Sequence, residues 1–285
     1  MTNYFTIITP SYNRSEYLPI LYRSLKKQNK ESFEWIIVDD GSTDDTKGII
    51  NNIIQNDNNI KIKYIYKENG GKHSAVNRGI NEATGKYITI IDSDDYLVPN
   101  GLTTIRKIIE DNVNANFIGI SACKIDKKGN SISFINSIPE QKMTHYEWFY
   151  KHKRTGDRID FYKSNILKEY QFNIFQNEKF LTEDTLWLIL KGDKIYTNQK
   201  ILIGEYLESG LTSNYNKLLK GNPLGMVYYY SLLLNECKTN KEKYKFSALL
   251  IFYALTTITK KTSLLNSFIT FITMPLICII KLLKK

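Results

Sequence analysis

The sequence predicts an α/β protein with a mostly parallel central sheet, followed by a helical C-terminal region. Three observations carry this reading. Short apolar runs alternate with helix-period segments over the first ~100 residues, the pattern of βαβ units. Three of the first four predicted strands end in polar residues suited to ligand chemistry, and ligands of such sheets bind beyond the carboxyl ends of the strands. From about Asn216 the chain turns to helical segments rich in Leu, Tyr and Phe.

The elements follow in order. Phe5 to Thr9 is an apolar run closed by Pro10 and reads as a buried strand. Tyr17, Leu18, Leu21, Tyr22 and Leu25 recur at helical spacing within Glu16 to Gln28. Phe33 to Val38 is a second buried strand, ending at Asp39-Asp40-Gly41. A helix over Thr43 to Gln55 follows, with Ser42 or Thr43 as its N-cap. Ile60 to Tyr66 alternates as a third strand, and His73 to Ala83 reads as a helix stopped by Gly85. Tyr87 to Ile91 is a fourth strand, ending at Asp92-Ser93-Asp94-Asp95. Leu102 to Asp111 reads as a helix, and Phe117 to Ile125 and Ser131 to Ile135 as strands about a turn. Residues 140–215 have helix and loop character, and Leu224 to Asn235 and Tyr244 to Ile258 are helical. The expected division is a domain of residues 1–215 and a helical region of 216–285.

A net charge of +10 suits an anionic partner, whether nucleic acid, a nucleotide or an anionic membrane, and equally a generally basic surface. No nucleic-acid recognition motif is present and the lysines are scattered, which argues against a nucleic-acid partner. Cys123, Cys237 and Cys278 are too sparse for a disulfide framework or a metal spacing, so they read as reduced thiols of a cytoplasmic protein. The first residues look like a strand rather than a secretory signal. Leu264 to Leu283 is largely apolar, with Lys260-Lys261 before it and Lys281, Lys284 and Lys285 in or after it. Asn266, Ser267 and Pro275 interrupt it, so it fits a helix lying in the inner leaflet better than a span. The alternative is a helix packed on the protein core.

The clustered Asp92, Asp94 and Asp95 must be solvated, paired or bound to a cation. Aspartates one residue apart can hold Mg2+ or Mn2+, which prefer hard oxygen ligands; a solvated turn is the other reading. Asp39-Asp40-Gly41-Ser42 is either a capped turn or a carboxylate that accepts from a base or ribose. Asn69-Gly70-Gly71-Lys72 allows close backbone approach and offers an ammonium to a phosphate, although the P-loop and GxGxxG spacings are absent. His73 reads as a capping or packing residue. Thr182-Glu183-Asp184 reads physically as a helix start, with a general base as the functional alternative.

Together these motifs resemble the family 2 glycosyltransferases of the GT-A fold, a Rossmann-like nucleotide-sugar-binding domain. The resemblance rests on Thr9-Pro10-Ser11-Tyr12-Asn13-Arg14, Val38-Asp39-Asp40-Gly41-Ser42-Thr43-Asp44 and Asn69-Gly70-Gly71-Lys72. It continues in Ala75-Val76-Asn77-Arg78-Gly79, Ala83-Thr84-Gly85, Asp92-Ser93-Asp94-Asp95 and Glu183-Asp184. It is specific over residues 4–100 and looser from 101 to 215. Beyond 215 it is to some membrane-associated members only. The resemblance implies an inverting enzyme that transfers a sugar from a nucleotide-sugar donor, a UDP-sugar first, to a glycan or lipid-linked acceptor in bacterial surface polysaccharide synthesis. By resemblance, Pro10, Tyr12, Asp40 and Asn69 would hold the nucleoside, Lys72, Asp92 and Asp94 the sugar-diphosphate, Asp94 the Mn2+ or Mg2+, and Asp184 would be the base. A Gln-x-x-Arg-Trp-like run is absent, and Val76 stands where some relatives carry a basic residue, leaving Lys72 or Arg78 to meet the phosphates. A nucleotidyltransferase or a non-catalytic binding module are the competing readings.

Overall fold

Phe5–Ser11 (β1) and Phe33–Asp39 (β2) are buried along their whole length. Strands covered by helices on both faces read this way, as continuous apolar runs. The computed structural model describes residues 3–28, 30–135, 140–204 and 215–261. Between these strands lies Leu18–Leu25 (α1), which buries Leu18, Leu21 and Leu25, one stripe of a 3.6-residue period. Thr46–Asn56 (α2), Lys61–Tyr66 (β3), Lys72–Glu82 (α3) and Tyr87–Ile90 (β4) complete the repeating half. β3, β2, β1 and β4 lie side by side in that order, all parallel. The order reverses at β1, so a crevice opens outside the carboxyl ends of β1 and β4, where such sheets bind ligands.

Two polar devices hold this half together. Trp35 is fully buried, and its indole N–H donates to Thr9 Oγ1 at 2.9 Å. The buried Glu34 carboxylate accepts from the Thr6 hydroxyl and from both the amide and hydroxyl of Thr84 at 2.6–2.7 Å. The Ala83-Thr84-Gly85 turn is thus clamped to β2. Burial alone would raise the Glu34 carboxyl, but the hydrogen bonds outweigh it and hold it low.

The remaining strands make the sheet mixed. After Tyr96–Leu97 (β5) and Gly101–Asp111 (α4) come Gly119–Ile125 (β6), Glu140–Met143 (β7), a π-helical turn at Glu147–Lys151 and Arg158–Lys163 (β8). Ser164–Leu167 (α5), Asp184–Ile189 (α6) and Lys194–Ile203 (β9) follow. β8 pairs antiparallel with β4 and β6, and β6 pairs parallel with β9. The apolar core runs under the whole sheet, from Phe5 and Trp35 to Phe161 and Ile201.

Several expectations need correction. Residues 140–215 contain three strands, not only helix and loop. In β8 and β9 the pattern is broken by buried charge: Lys194, 1% exposed, donates to Asp160 Oδ2 at 2.7 Å. Ser131 to Ile135 is not a strand; only Ser131 bridges Ile125. There the Ser133 hydroxyl accepts from the Lys124 amide at 2.7 Å, so a side chain takes the place of a ladder bond. α2 starts at Thr46, not Thr43. Asp44 Oδ1 accepts the Thr46 amide at 3.1 Å, while Ser42 and Thr43 are engaged by Asn13.

The chain forms two compact units, Met1–Gln171 with Leu190–Tyr206, and Phe172–Ile189 with Leu207–Lys285. All the strands above belong to the first. In the second, α6 joins Tyr215–Gly221 (α7), Pro223–Glu236 (α8) and Asn240–Lys261 (α9). Glu178 caps α8: its carboxylate accepts the Leu224 and Gly225 amides, both at 2.8 Å, where the helix dipole favours an anion. Among the described residues no helix is long and apolar enough to cross a membrane. The run Leu264 to Leu283 and Cys278 lie outside the described residues; Cys123 and Cys237 are buried free thiols.

Candidate active site

The loops after β1 and β2 are stitched into one rim. Asn13 adopts a left-handed backbone, φ 52°. Its side-chain oxygen accepts the Thr43 amide at 2.7 Å, its own amide donates to Ser42 Oγ at 2.9 Å, and the Ser15 amide donates to Asp44 Oδ2 at 3.0 Å. Tyr12, just past the end of β1, is left 49% exposed at this rim. Asp39 accepts the Ser42 amide at 2.8 Å and the Tyr64 hydroxyl at 2.6 Å. Burial, and then the Asp39 hydrogen bond and charge, push the Tyr64 phenol well up, so it stays a donor.

Asp40 ties this rim to the loop before α3. Its Oδ1 accepts Lys67 Nζ at 2.6 Å and the Gly70 amide at 2.9 Å, and its Oδ2 accepts the Gly71 amide at 2.8 Å. Asn69 Nδ2 donates back to the Asp40 carbonyl at 2.9 Å. Oδ2 keeps a lone-pair direction beyond the Gly71 bond. Gly41 is needed here: it has φ 84°, and a Cβ on it would lie 2.9 Å from the Asn69 amide nitrogen. Lys67 escaped the sequence reading, since nothing local distinguishes it from the other lysines; it also donates to Ser74 Oγ at 2.9 Å.

The loop delivers Lys72 to the start of α3, where Nζ donates to Asp92 Oδ2 at 2.7 Å. Arg78, the other candidate for a phosphate, pairs with Glu82 at 2.8 Å. Asp92, Asp94 and Asp95 form a turn past β4, closed by the Asp95 amide on the Asp92 carbonyl at 3.0 Å. Burial raises the Asp92 carboxyl, but Lys72, Lys124 and Arg14 outweigh it and hold it low. Asp94 is pushed up, first by burial and then by Asp92. Burial, with Asp92 and Asp94, pushes Asp95 up to about 7 against the pull of Lys124, whose Nζ lies 2.9 Å away. Lys124, on β6, is a second residue that the sequence did not signal. Gly204 makes room for this pair, because a Cβ there would lie 1.7 Å from Asp95 Oδ1.

The donor set suits a hard divalent cation at Asp94. Among the described residues Asp94 has no ion pair, and its charge is disfavoured by its surroundings, so an added cation would relieve it. No group of three or more His, Cys, Asp or Glu is arranged to hold a metal among the described residues. Mg2+-type sites that share phosphates need only one or two carboxylates.

Seven of the eight predicted site residues therefore lie at or past the carboxyl ends of neighbouring strands: Pro10 in the end of β1, Tyr12, Asp40, Asn69, Asp92 and Asp94 in the loops, and Lys72 at the start of α3. The eighth, Asp184, lies in the other unit at the first turn of α6, where Tyr229 of α8 donates its hydroxyl to Oδ2 at 3.3 Å. His73 is buried beneath the loop. Burial, helped by the charge of Lys67, holds its imidazole low against Asp40.

Known proteins resemble this chain in sequence and in fold. The model of glycosyl transferase family 2 matches residues 6–173, more than half of the chain. A Campylobacter jejuni GalNAc(5)-diNAcBac-PP-undecaprenol beta-1,3-glucosyltransferase is 27% identical over 245 residues, 84% of this chain and 76% of that protein. The Staphylococcus aureus poly(ribitol-phosphate) beta-N-acetylglucosaminyltransferase TarS is 27% identical over 219 residues, 73% of this chain but only 38% of TarS. The crystal structure of TarS residues 1–349 with UDP-GlcNAc is similar in fold, with a TM-score of 0.65 at 20% identity over 88% of this chain and 72% of that one. A Pyrobaculum calidifontis mannosyltransferase in complex with GDP-Man and Mn2+ gives 0.58 at 14% identity, covering 100% of this chain and 85% of that one. Motifs, sheet order and family match converge, which sets aside a nucleotidyltransferase or a non-catalytic module: the chain belongs to glycosyl transferase family 2 and is a glycosyltransferase of mixed α/β, GT-A architecture.

Proposed function

We propose that the chain transfers a sugar from a UDP-sugar, with inversion and dependence on Mn2+ or Mg2+, to a glycan or lipid-linked acceptor in bacterial surface polysaccharide synthesis. The observation that carries this reading is the convergence of Asp40, Lys72, Asp92 and Asp94 at the crevice beyond β1 and β4. Tyr12, two residues past Pro10, offers its ring to the base. Asp40 Oδ2 offers its remaining acceptor direction to the base or ribose, with Asn69 beside it. Lys72 turns from Asp92 toward the diphosphate. Asp94, helped by Asp92, would hold a divalent cation, which would supply charge stabilisation to the leaving diphosphate. Asp184 takes the proton from the acceptor hydroxyl as that oxygen attacks the anomeric carbon from the face opposite the departing nucleotide. The relatives support the acceptor class: one is named for an undecaprenol-linked glycan and another for a poly(ribitol-phosphate).

A panel of UDP-glucose, UDP-N-acetylglucosamine, UDP-N-acetylgalactosamine and GDP-mannose tests the donor. A ligand at ~100 times its Kd stabilises the folded state by about 2.7 kcal/mol, several degrees of melting temperature. We expect such a shift from a UDP-sugar with Mn2+ and its loss in EDTA. No shift from any member would defeat the donor reading.

The location proposed is the cytoplasmic face of the membrane, with residues 216–285 as a membrane-associated region. The support is the apolar run Leu264 to Leu283 with lysines on both flanks. Full-length protein is expected to float with anionic liposomes, and a chain ending at Thr259 to stay behind. Equal behaviour of the two would make the tail an ordinary packing segment.

A further inference from the structure

The proposed base, Asp184, stands at the first turn of α6 and meets a tyrosine of its own unit. Tyr229 donates its hydroxyl to Asp184 Oδ2 at 3.3 Å. The Tyr215 hydroxyl interacts with the Thr182 side chain, and the Asp184 charge acts on it. Tyr215 is 41% exposed, and Phe180 sets its ring edge-on at 5.9 Å and 87°. Behind Tyr229, the Tyr230 ring lies 5.0 Å away and stacks on Tyr253 at 5.7 Å, so the wall is braced from within the helix pair. A packing role alone would be met by Phe or Leu. One phenol on the carboxylate, and a second, part-exposed ring packed on Phe180 four residues before it, is a different chemistry. A pyranose presents an apolar C–H face and a rim of hydroxyls, and a tyrosine presents a ring face and a polar edge.

We propose that Tyr215 and Tyr229 form the acceptor subsite. The Tyr215 ring receives the C–H face of a hexose or N-acetylhexosamine, and the Tyr229 hydroxyl orients the Asp184 carboxylate toward that sugar's hydroxyl. Tyr229 is a positioning residue, and its half of the proposal rests on Asp184 as proton acceptor; the Tyr215 half does not.

The test uses the full-length protein with UDP and Mn2+, and methyl β-N-acetylglucosaminide and methyl β-N-acetylgalactosaminide as probes in saturation-transfer NMR. The wild type is expected to transfer saturation to the ring protons of at least one probe. Tyr215→Ala should weaken that binding ~10-fold and Tyr215→Trp should restore it, because the aromatic face is what counts. UDP-sugar stabilisation should be the same in all three, which separates a lost subsite from a lost fold. Tyr229→Phe should keep probe binding and donor KM while lowering kcat for UDP-sugar hydrolysis ~10-fold, since only the orientation of the carboxylate is lost. No saturation transfer to the wild type, or wild-type binding by Tyr215→Ala, overturns the subsite. Normal hydrolysis by Tyr229→Phe overturns its positioning role. Normal turnover by Asp184→Asn would sink the base reading while leaving the Tyr215 result standing.

Discussion

Asp94→Ala is expected to lower transfer by roughly 10²–10³-fold or more while leaving the fold intact. The size follows from what the residue is proposed to hold. A leaving diphosphate gains negative charge, and the site already contains Asp92 and Asp95, so without a cation the donor phosphates would meet carboxylates of their own sign. The intact fold follows from the local electrostatics. Asp94 is pushed up by burial and by Asp92, and it makes no ion pair among the described residues. Removing it relieves repulsion and costs only a hydrogen bond to its own backbone amide, so the melting temperature should hold or rise. Asp92→Ala differs, because it releases Lys72 from its 2.7 Å contact. The check is turnover against Mn2+ concentration for both proteins. Normal, metal-saturable transfer by a folded Asp94→Ala protein would end the assignment.

Asp184→Asn is expected to lower kcat at least ~10²-fold with donor KM unchanged. Asparagine has nearly the same volume, and its amide oxygen can still accept the Tyr229 hydroxyl, so helix α6 and its packing should survive. What is lost is the capacity to take a proton. An alcohol is a weak nucleophile at neutral pH, and its attack then depends on water as the base. The informative measurement is kcat and donor KM taken separately. A large rise in donor KM with kcat retained would make Asp184 a binding residue instead.

The parallel half of the sheet was legible because its strands are apolar on both faces and its helices are amphipathic. Phe5–Ser11, Phe33–Asp39 and Tyr87–Ile90 stand within two residues of their expected bounds. Of the later strands β6 was legible, as Phe117 to Ile125, while β7, β8 and β9 were not. β8 and β9 bury Asp160 against Lys194. Charged residues in buried strands break the apolar period, and here the neutralising partner stands 34 positions away in sequence. The same limit hid Lys67, Lys124, Tyr215 and Tyr229.

Local pattern was therefore enough for the fold class, the family and the strand-end positions of Pro10, Tyr12, Asp40, Asn69, Lys72, Asp92 and Asp94. Turn chemistry and hydrophobic periodicity are short-range, and loops at the carboxyl ends of parallel strands share one rim whatever the details of packing. Long-range pairing settled the rest. It paired Lys72 with Asp92, and it made Asp40 a clamp on the Gly70 and Gly71 amides. It also gathered Phe172–Ile189, with Asp184, among the C-terminal helices. These outcomes depend on which distant charges, amides and rings meet in three dimensions, and no window along the chain contains both partners.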